Sequence, residues 1–387
     1  MASHTGVIFK VSTFGESHGP AVGCVIDGCP AGIALDVAHI QAALERRRPG
    51  QSDVTSPRSE PDIVRVLSGV EDGLTLGTPI ALLVENTNTR PQDYDESSNA
   101  YRPGHADFTY EAKFGRRARS GGGRASARET IARVAAGAVA EQMLKQINPE
   151  PIEVLAWVQR LAHLECPPDT LPLSRAAIES NPLRVPHSES ATRMREFLRN
   201  LMAVGDTAGG LIRCHVRGVP AGWGEPVFDK LEAELAKAML SLPASRSFEI
   251  GAGLASTYMT GSAHNDPFST DPNTGRIITT SNHSGGIQGG ISNGMDIVFS
   301  VGFKPVSTIR AEQKSVDAQG NPVSLKMTRG RHDPCVLPRA VPMIEAMAWL
   351  VLADHALRAR LNRKDLLQKR TLPTEAAAQV QSPKENT

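Results

Sequence analysis

Several residue classes are scarce in this 387-residue chain, and each scarcity argues against a class of protein. Aromatic residues make up only 4% of the sequence, which argues against a nucleic-acid-binding surface built on base stacking. The formal net charge is +1, so no excess of either sign points to a nucleic-acid or membrane partner. We therefore expect neither partner.

Cysteine is scarce too, and the apolar runs are short. The five cysteines are Cys24, Cys29, Cys166, Cys214 and Cys335. They lack paired metal spacing, and no apolar leader precedes them, so we expect no metal site, reduced thiols and a cytoplasmic location. The apolar run at 346–357 is shorter than the ~20 residues that cross a bilayer. The composition therefore predicts a soluble protein.

Short β-rich runs alternate with helical patterns along most of the chain. Residues 7–14 and 21–28 read as strands, and Asp36 reads as the N-cap of a helix that stops at Pro49-Gly50. Another helix is predicted from about Ala127 to Lys145. We expect one α/β domain over 1–363 and a flexible, charged tail over 364–387.

One internal similarity suggests a duplicated strand–turn–helix element. The stretch GPAVGCVIDGCPAG (19–32) aligns without gaps to GGLIRCHVRGVPAG (209–222), and an amphipathic helix follows each copy. Chance reuse of a common element is the alternative. His18, just before the first copy, becomes Ala208 in the second, so we expect the chemistry to lie on the side of the first copy.

The stretch RSGGGRASARET (119–130) combines three glycines with the start of a helix. Ser126 and Glu129 have capping-box spacing, and backbone N–H groups at a helix start attract anions. The nearby basic residues are Lys113, Arg116, Arg117, Arg119, Arg124, Arg128 and Arg133. A nucleotide P-loop is excluded because its lysine is missing. An anion site is favoured, and a solvated helix face is the alternative.

Other loops carry candidates for binding and acid–base chemistry. Arg46-Arg47-Arg48 either bind a ligand or complement a helix C-terminus. His18 and His105 lie in glycine-flanked turns, and Asp333 lies before a proline in GRHDPC (330–335), where extended backbone is favoured. A second glycine-rich loop at 281–294 is either a ligand loop or a connector. These residues predict an enzyme with an arginine-rich anion site.

Seven of these loops, taken in order, resemble those of the chorismate synthase family over nearly the full chain. They are TFGESHG (13–19), RRRPG (46–50), RPGHAD (102–107), SGGGRASARET (120–130), GVPAG with GEPVFD (218–229), GGIQGGISNG (285–294) and GRHDPC (330–335). The resemblance implies a carbon–oxygen lyase that converts 5-enolpyruvylshikimate 3-phosphate to chorismate. Phosphate leaves C3 and the pro-R hydrogen leaves C6 in the last common step of the shikimate pathway and aromatic amino acid biosynthesis.

The resemblance also implies a cofactor, a fold and an assembly. The family requires reduced FMN although the reaction is redox-neutral. Its fold is a β–α–β sandwich, with two antiparallel four-stranded sheets packed between helices, and the pseudo-duplication would fit a core of two sheets. We expect a homotetramer that receives reduced FMN from an external flavin reductase.

Site residues follow from the resemblance, position by position. His105 resembles the acid near the departing phosphate, His18 the group that favours the reduced-flavin anion, and Asp333 the aspartate that works with the flavin in taking the C6 proton. The positions matching substrate contacts are Ser17, Arg48, Arg128 and Arg331. The positions matching flavin contacts are Arg124, Ala125, Ser126, Pro243, Ala244, Gly289, Lys304, Pro305, Val306, Ser307, Thr308 and Arg331.

The sequence also departs from the family pattern. The family often has an arginine near Asp53 that is absent here, so the predicted NADP contact rests on Arg47 alone. Pro243 replaces a common asparagine, and the stretch 263–280 is longer than expected. Two other hypotheses stay open at this point. One is a non-flavin phosphometabolite transferase, and the other is a nucleic-acid-binding module that uses the basic run 113–133.

Overall fold

The computed structural model describes residues 3–51, 54–55, 60–87, 100–118, 121–167, 174–327 and 333–362. The predicted tail at 364–387 lies outside the described residues, and so do Asp53 and Arg331.

The first half of the chain forms an antiparallel five-stranded sheet. Its strands run in the order β1-β2-β3-β7-β4. The strands of this half are β1 (His4–Thr5), β2 (Lys10–Phe14), β3 (Ala21–Asp27), β4 (Val64–Ser68), β5 (Val70–Glu71), β6 (Leu74–Thr75) and β7 (Ile80–Glu85), of which β5 and β6 form a separate hairpin. The predicted strand at 7–14 begins only at Lys10, because the N–H groups of residues 7–9 bind the Asp354 carboxylate.

The second half forms another antiparallel five-stranded sheet, in the order β11-β16-β10-β8-β9. Small two-stranded hairpins lie in the loops of this half of the chain. The strands of this half are β8 (Glu153–Leu161), β9 (Leu164–Glu165), β10 (Gly210–Arg217), β11 (Ser245–Ile250), β12 (Phe268–Thr270), β13 (Ile277–Thr279), β14 (Ile287–Gln288), β15 (Ile291–Ser292), β16 (Ile297–Phe303), β17 (Gln313–Val316) and β18 (Pro322–Leu325). The long 263–280 stretch contains the hairpin β12–β13.

Eight α-helices accompany the two sheets in the described part of the chain. They are α1 (Val37–Arg47), α2 (Asp107–Phe114), α3 (Thr130–Ile147), α4 (Arg175–Ile178), α5 (Ser188–Val204), α6 (Leu231–Leu240), α7 (Gly261–His264) and α8 (Leu337–Leu361). Helices α1 and α3 pack on the first sheet, α6 and α8 pack on the second, and α3 packs on α8. One cluster of buried apolar side chains runs through both sheets, from Phe9 to Leu357.

The expected class, mixed α/β with antiparallel sheets, is confirmed, but two details differ. Each sheet has a fifth strand of only two residues, β1 or β9, at its edge. Such short strands carry too little alternation to be recognised in a sequence. Helices α1, α3, α6 and α8 also lie between the sheets rather than outside them.

Helix starts follow the local sequence closely. Asp36 caps α1 as predicted, with its carboxylate accepting a hydrogen bond from the Ala38 N–H at 2.8 Å. Ser126 accepts a hydrogen bond from the Arg128 N–H, but it caps a short 3-10 turn over Ala127–Glu129, so α3 begins only at Thr130. Glu129 pairs with Arg133, one turn further along.

Helix α8 is longer than the apolar run at 346–357 suggested. It spans 25 residues, and its length and composition would suffice to cross a membrane, but its apolar window is wholly buried inside the protein. It packs so closely on α3 that a Cβ atom on Gly137 would lie 2.6 Å from the Ala346 Cα. Burial of this kind is that of a core helix.

Candidate active site

The glycine-rich loop before α3 lies between two histidine rings. A Cβ atom on Gly121 would lie 2.6 Å from His18 Nδ1, and one on Gly122 would lie 3.2 Å from His105 Nε2. Gly121 also has a φ of +85°, which favours glycine. The loop therefore needs glycine for both its conformation and its close approach, and it brings two predicted catalytic residues to one place.

The turn that carries His18 is held by side chains from other elements. Ser17 is 1% exposed, and its Oγ lies 3.1 Å from His18 Nδ1. Asn86 donates to the Gly19 carbonyl at 2.7 Å, and Arg124 donates to the Gly15 carbonyl at 3.2 Å. Arg124 thus joins the glycine-rich loop to the His18 turn.

His105 is bound to a buried carboxylate. Its Nδ1 lies 2.8 Å from Asp107 Oδ1, and Asp107 is 5% exposed. Burial opposes ionisation of Asp107, but hydrogen bonds from Arg102 and His105 outweigh it and hold the pKa of this carboxyl well below its ordinary value. The described structure thus places a carboxylate behind the His105 ring.

The predicted flavin segment 304–308 packs on the His105 turn. Lys304 Nζ donates to the Gly104 carbonyl at 2.8 Å, and Ser307 Oγ donates to the same carbonyl at 2.7 Å. The Lys304 backbone N–H binds the Ala244 carbonyl at 2.9 Å. Burial and the nearby Arg246 charge lower the pKa of Lys304. Residues 243–244, 304–308 and the His105 turn are therefore contiguous.

Asp333 lies near Thr308, at the end of the 304–308 segment. It is 9% exposed and forms an ion pair with Arg339. It lines a cavity of about 80 Å³ together with Asp206, Thr207 and Thr308. Residues 206–207 come from the loop before the second sequence copy, so that loop also borders the candidate site, contrary to the expectation that only the first copy would.

Two predicted arginines are buried in ion pairs. Arg128 is 3% exposed, and its guanidinium pairs with Asp62 at 2.7 Å and with Glu60. Arg47 is 1% exposed and donates to Asp62 and to the Ala127 carbonyl. Burial, reinforced by the Arg339 charge, lowers the pKa of Arg47 to about 9. Its enclosed guanidinium gives no support to the predicted NADP contact.

Arg48 and Gly289 occupy exposed positions. Arg48 is the C-cap of α1, and its backbone N–H binds the Leu44 carbonyl. Gly289 lies in the exposed turn between β14 and β15, with a φ of +62°. The neighbouring Gly290 carbonyl accepts a hydrogen bond from the N–H of Leu231, the first residue of α6. This turn therefore contacts the start of α6.

Sequence reasoning missed several residues that shape the site. Asp107 and Arg102 lie inside the RPGHAD motif, and their spacing around His105 was the available signal. Glu60, Asp62 and Asn86 had no such signal, because they meet Arg128 only through the fold.

Comparison with known proteins identifies the family to which this site belongs. A family model described as "Chorismate synthase" matches residues 9–357. The chain belongs to the chorismate synthase family.

Similar proteins agree with this membership. The chorismate synthase of Synechococcus sp. (strain WH7803) is 57% identical over 358 residues, covering 92% of this chain and 98% of that protein. The chorismate synthase of Prochlorococcus marinus (strain MIT 9301) is 56% identical over 357 residues, covering 92% and 97%. A crystal structure of chorismate synthase matches with a TM-score of 0.72 at 28% identity, covering 92% of this chain and 93% of that one. The predicted lyase family is confirmed, and the transferase hypothesis is not favoured.

Proposed function

We propose that this protein converts 5-enolpyruvylshikimate 3-phosphate to chorismate and requires reduced FMN. The observation that carries the proposal is the glycine-rich loop held between His18 and His105 in a member of this family. Close backbone approach at Gly121 and Gly122 leaves N–H groups, rather than side chains, to face an anionic ligand.

The chain's residues fit an anionic flavin. The close-packed glycines, the half-buried Arg124 and the partly buried Lys304 offer backbone and cationic donors along one continuous surface. The residues that would hold FMN are Arg124, Ala125, Ser126, Pro243, Ala244, Gly289, Lys304, Pro305, Val306, Ser307, Thr308 and Arg331. When bound, reduced FMN would supply electron density to the substrate as phosphate leaves.

Each proposed catalytic residue then has a defined role: one donates a proton, one accepts a proton and one holds a proton near the flavin. His105 donates a proton from Nε2 to the phosphate that leaves C3 with the electron pair of the C–O bond. Asp333 accepts the C6 hydrogen as a proton. In this 1,4-elimination the electron pair of the C–H bond forms a double bond at C6, and the pair of the ring's existing double bond shifts to C3, which has lost the phosphate. His18 holds a proton near the negative charge of the reduced flavin.

Ser17, Arg48 and Arg128 are the proposed substrate contacts among the described residues. Two carboxylates and a phosphate on the substrate would require several cationic donors. Arg128 is bound to Glu60 and Asp62, so it must exchange one of these partners to bind the substrate. Arg48 already exposes its side chain to solvent.

Assembly, flavin supply and location complete the proposal. Phe228, Tyr258 and Ile277 are 89%, 85% and 72% exposed, which favours assembly into a homotetramer. The buried Arg47 favours a separate reductase as the source of reduced FMN. The five cysteines are buried free thiols, which suits a reducing cytoplasm.

An anaerobic assay tests the proposed function. Protein and 5-enolpyruvylshikimate 3-phosphate are mixed with chemically reduced FMN, oxidised FMN or no flavin, and chorismate and phosphate are measured. We expect both products in equal amounts only with reduced FMN. His105→Ala should lower kcat by about 10²–10⁴ because the leaving phosphate loses its acid. Equal turnover without flavin would refute the proposal.

A further inference from the structure

We propose that Asp107 is a positioning residue that fixes the ring of His105 with its proton on Nδ1 and its Nε2 toward the reacting phosphate. The inference rests on the proposed function of His105 and adds to it a residue outside the predicted site. Asp107 acts through His105 and does not itself contact the substrate.

The geometry around Asp107 is that of a carboxylate with every oxygen engaged. Oδ1 lies 2.8 Å from His105 Nδ1 and 2.7 Å from an Arg102 terminal nitrogen. Oδ2 accepts from Arg102 Nε at 2.8 Å and from the Arg102 backbone N–H at 3.1 Å. Arg117 lies 3.3 Å from the same oxygen. Two arginines thus bind the carboxylate in addition to the ring.

These distances decide which ring nitrogen carries the proton. His105 Nδ1 also lies 3.1 Å from an Arg102 nitrogen, so it could in principle accept from Arg102 instead. An unprotonated Nδ1 would then place its lone pair 2.8 Å from a carboxylate oxygen, which is repulsive. Because Arg102 keeps Asp107 ionised and therefore acceptor-only, Nδ1 donates to it.

If Nδ1 donates to Asp107, the transferable proton must be carried by Nε2. The Nε2 atom faces Gly122, where an added Cβ atom would lie only 3.2 Å away. When the ring is protonated, the mobile proton is therefore on the side of the glycine-rich loop. The ionised carboxylate also stabilises the imidazolium that delivers this proton.

A purely structural role for Asp107 is the alternative. It is the first residue of α2, where an acidic side chain stabilises a helix N-terminus. That role requires neither a bond to His105 nor two arginines. It predicts lost stability on substitution but no change in the histidine tautomer.

The first experiment uses the wild-type protein and needs no turnover. Histidine labelled with ¹⁵N reports the tautomer of each ring, and His105 is assigned by its loss in His105→Gln. We expect neutral His105 to carry its proton on Nδ1. A neutral ring with the proton on Nε2 would overturn the inference. If the protein made no chorismate at all, the proposed function would fail while this spectrum would still report on the pair.

The second experiment compares Asp107→Asn with Glu111→Gln. Glu111 lies one turn further along α2 and also pairs with Arg117, so it is a matched control. We expect Asp107→Asn to lower kcat about 10²–10⁴-fold with little change in KM, to shift the tautomer toward Nε2–H, and to move the alkaline fall of activity to lower pH. Asp107→Glu should restore part of kcat. Unchanged tautomer and pH profile in a folded Asp107→Asn protein would overturn the inference.

Discussion

The two copies of the repeated sequence form the same local structure and differ in the loop before it. Strands β3 and β10 are followed by turns in which Gly28 and Gly218 have φ values of +81° and +76°. The N–H of Gly32 binds the Thr75 carbonyl, and that of Gly222 binds the Ser292 carbonyl. The two turns therefore make the same kind of backbone hydrogen bond at matching positions.

The preceding loops have different tasks. In the first copy, His18 contacts the glycine-rich loop. In the second, the Ala208 N–H binds the Pro334 carbonyl, and Thr207 Oγ1 donates to the Val306 carbonyl at 2.8 Å. One loop therefore places an imidazole ring against the glycine-rich loop, whereas the other connects the segments that carry Asp333 and residues 304–308.

The largest expected difference between the copies is in turnover. His18→Ala removes the ring, and we expect kcat with reduced FMN to fall about 10²–10³-fold, as when a preorganised electrostatic donor is lost. Ala208→Gly, at the matching position, should keep kcat within about threefold. Anaerobic kinetics on both variants check the comparison, and equal losses would show that the loops do not differ in function.

A smaller and equal effect is expected at the shared turns. Gly32 and Gly222 both have positive φ, and a Cβ atom on either would meet no heavy atom within 4 Å. Alanine at each position should cost only backbone strain, about 1–2 kcal/mol, with kcat unchanged. Denaturant unfolding of Gly32→Ala and Gly222→Ala measures this. A loss confined to one variant would contradict the structural equivalence of the turns.

The smallest effect concerns pH and the helix that joins the halves. His355 on α8 is 1% exposed, next to Asp354, which binds the N-terminal segment. Burial lowers the pKa of His355, the nearby Arg358 lowers it further, and Asp354, Glu225 and Glu234 oppose the shift. The unfolded chain therefore takes up this proton at higher pH than the folded protein.

The stability that His355 contributes should be fully present above the pKa of this histidine in the unfolded chain. It should be lost as the pH falls below that pKa. The slope should be at most about 1.4 kcal/mol per pH unit. Urea unfolding between pH 7.5 and 5 should show a flatter dependence for His355→Leu than for the wild type. A variant with the same dependence as the wild type would show that other groups account for the acid sensitivity.

Local signals allowed much of this molecule to be predicted. Asp36 as an N-cap, β3 and the α3 region follow from capping chemistry and periodicity, which act over a few residues. The partners of Arg128 could not be predicted in this way. Asp62 is 66 positions away along the chain, and only the packing of α1, β4 and α3 brings it to the guanidinium.

The same limit explains the site. The motifs identified His18, His105 and Asp333, but not that one glycine loop would lie against both rings or that residues 206–207 would share a cavity with Asp333. Motifs report which residue types occur together along the chain. Distances between them depend on tertiary contacts that no single segment encodes.

The close contact between Gly137 and Ala346 has a consequence for the distance between the catalytic groups. Helix α3 begins just after the glycine-rich loop, and α8 begins just after Asp333. Because the backbones touch there, neither helix can slide or rotate without a steric clash. The contact therefore keeps the glycine-rich loop, beside the proposed proton donor His105, at a constant separation from the start of α8, beside the proposed proton acceptor Asp333.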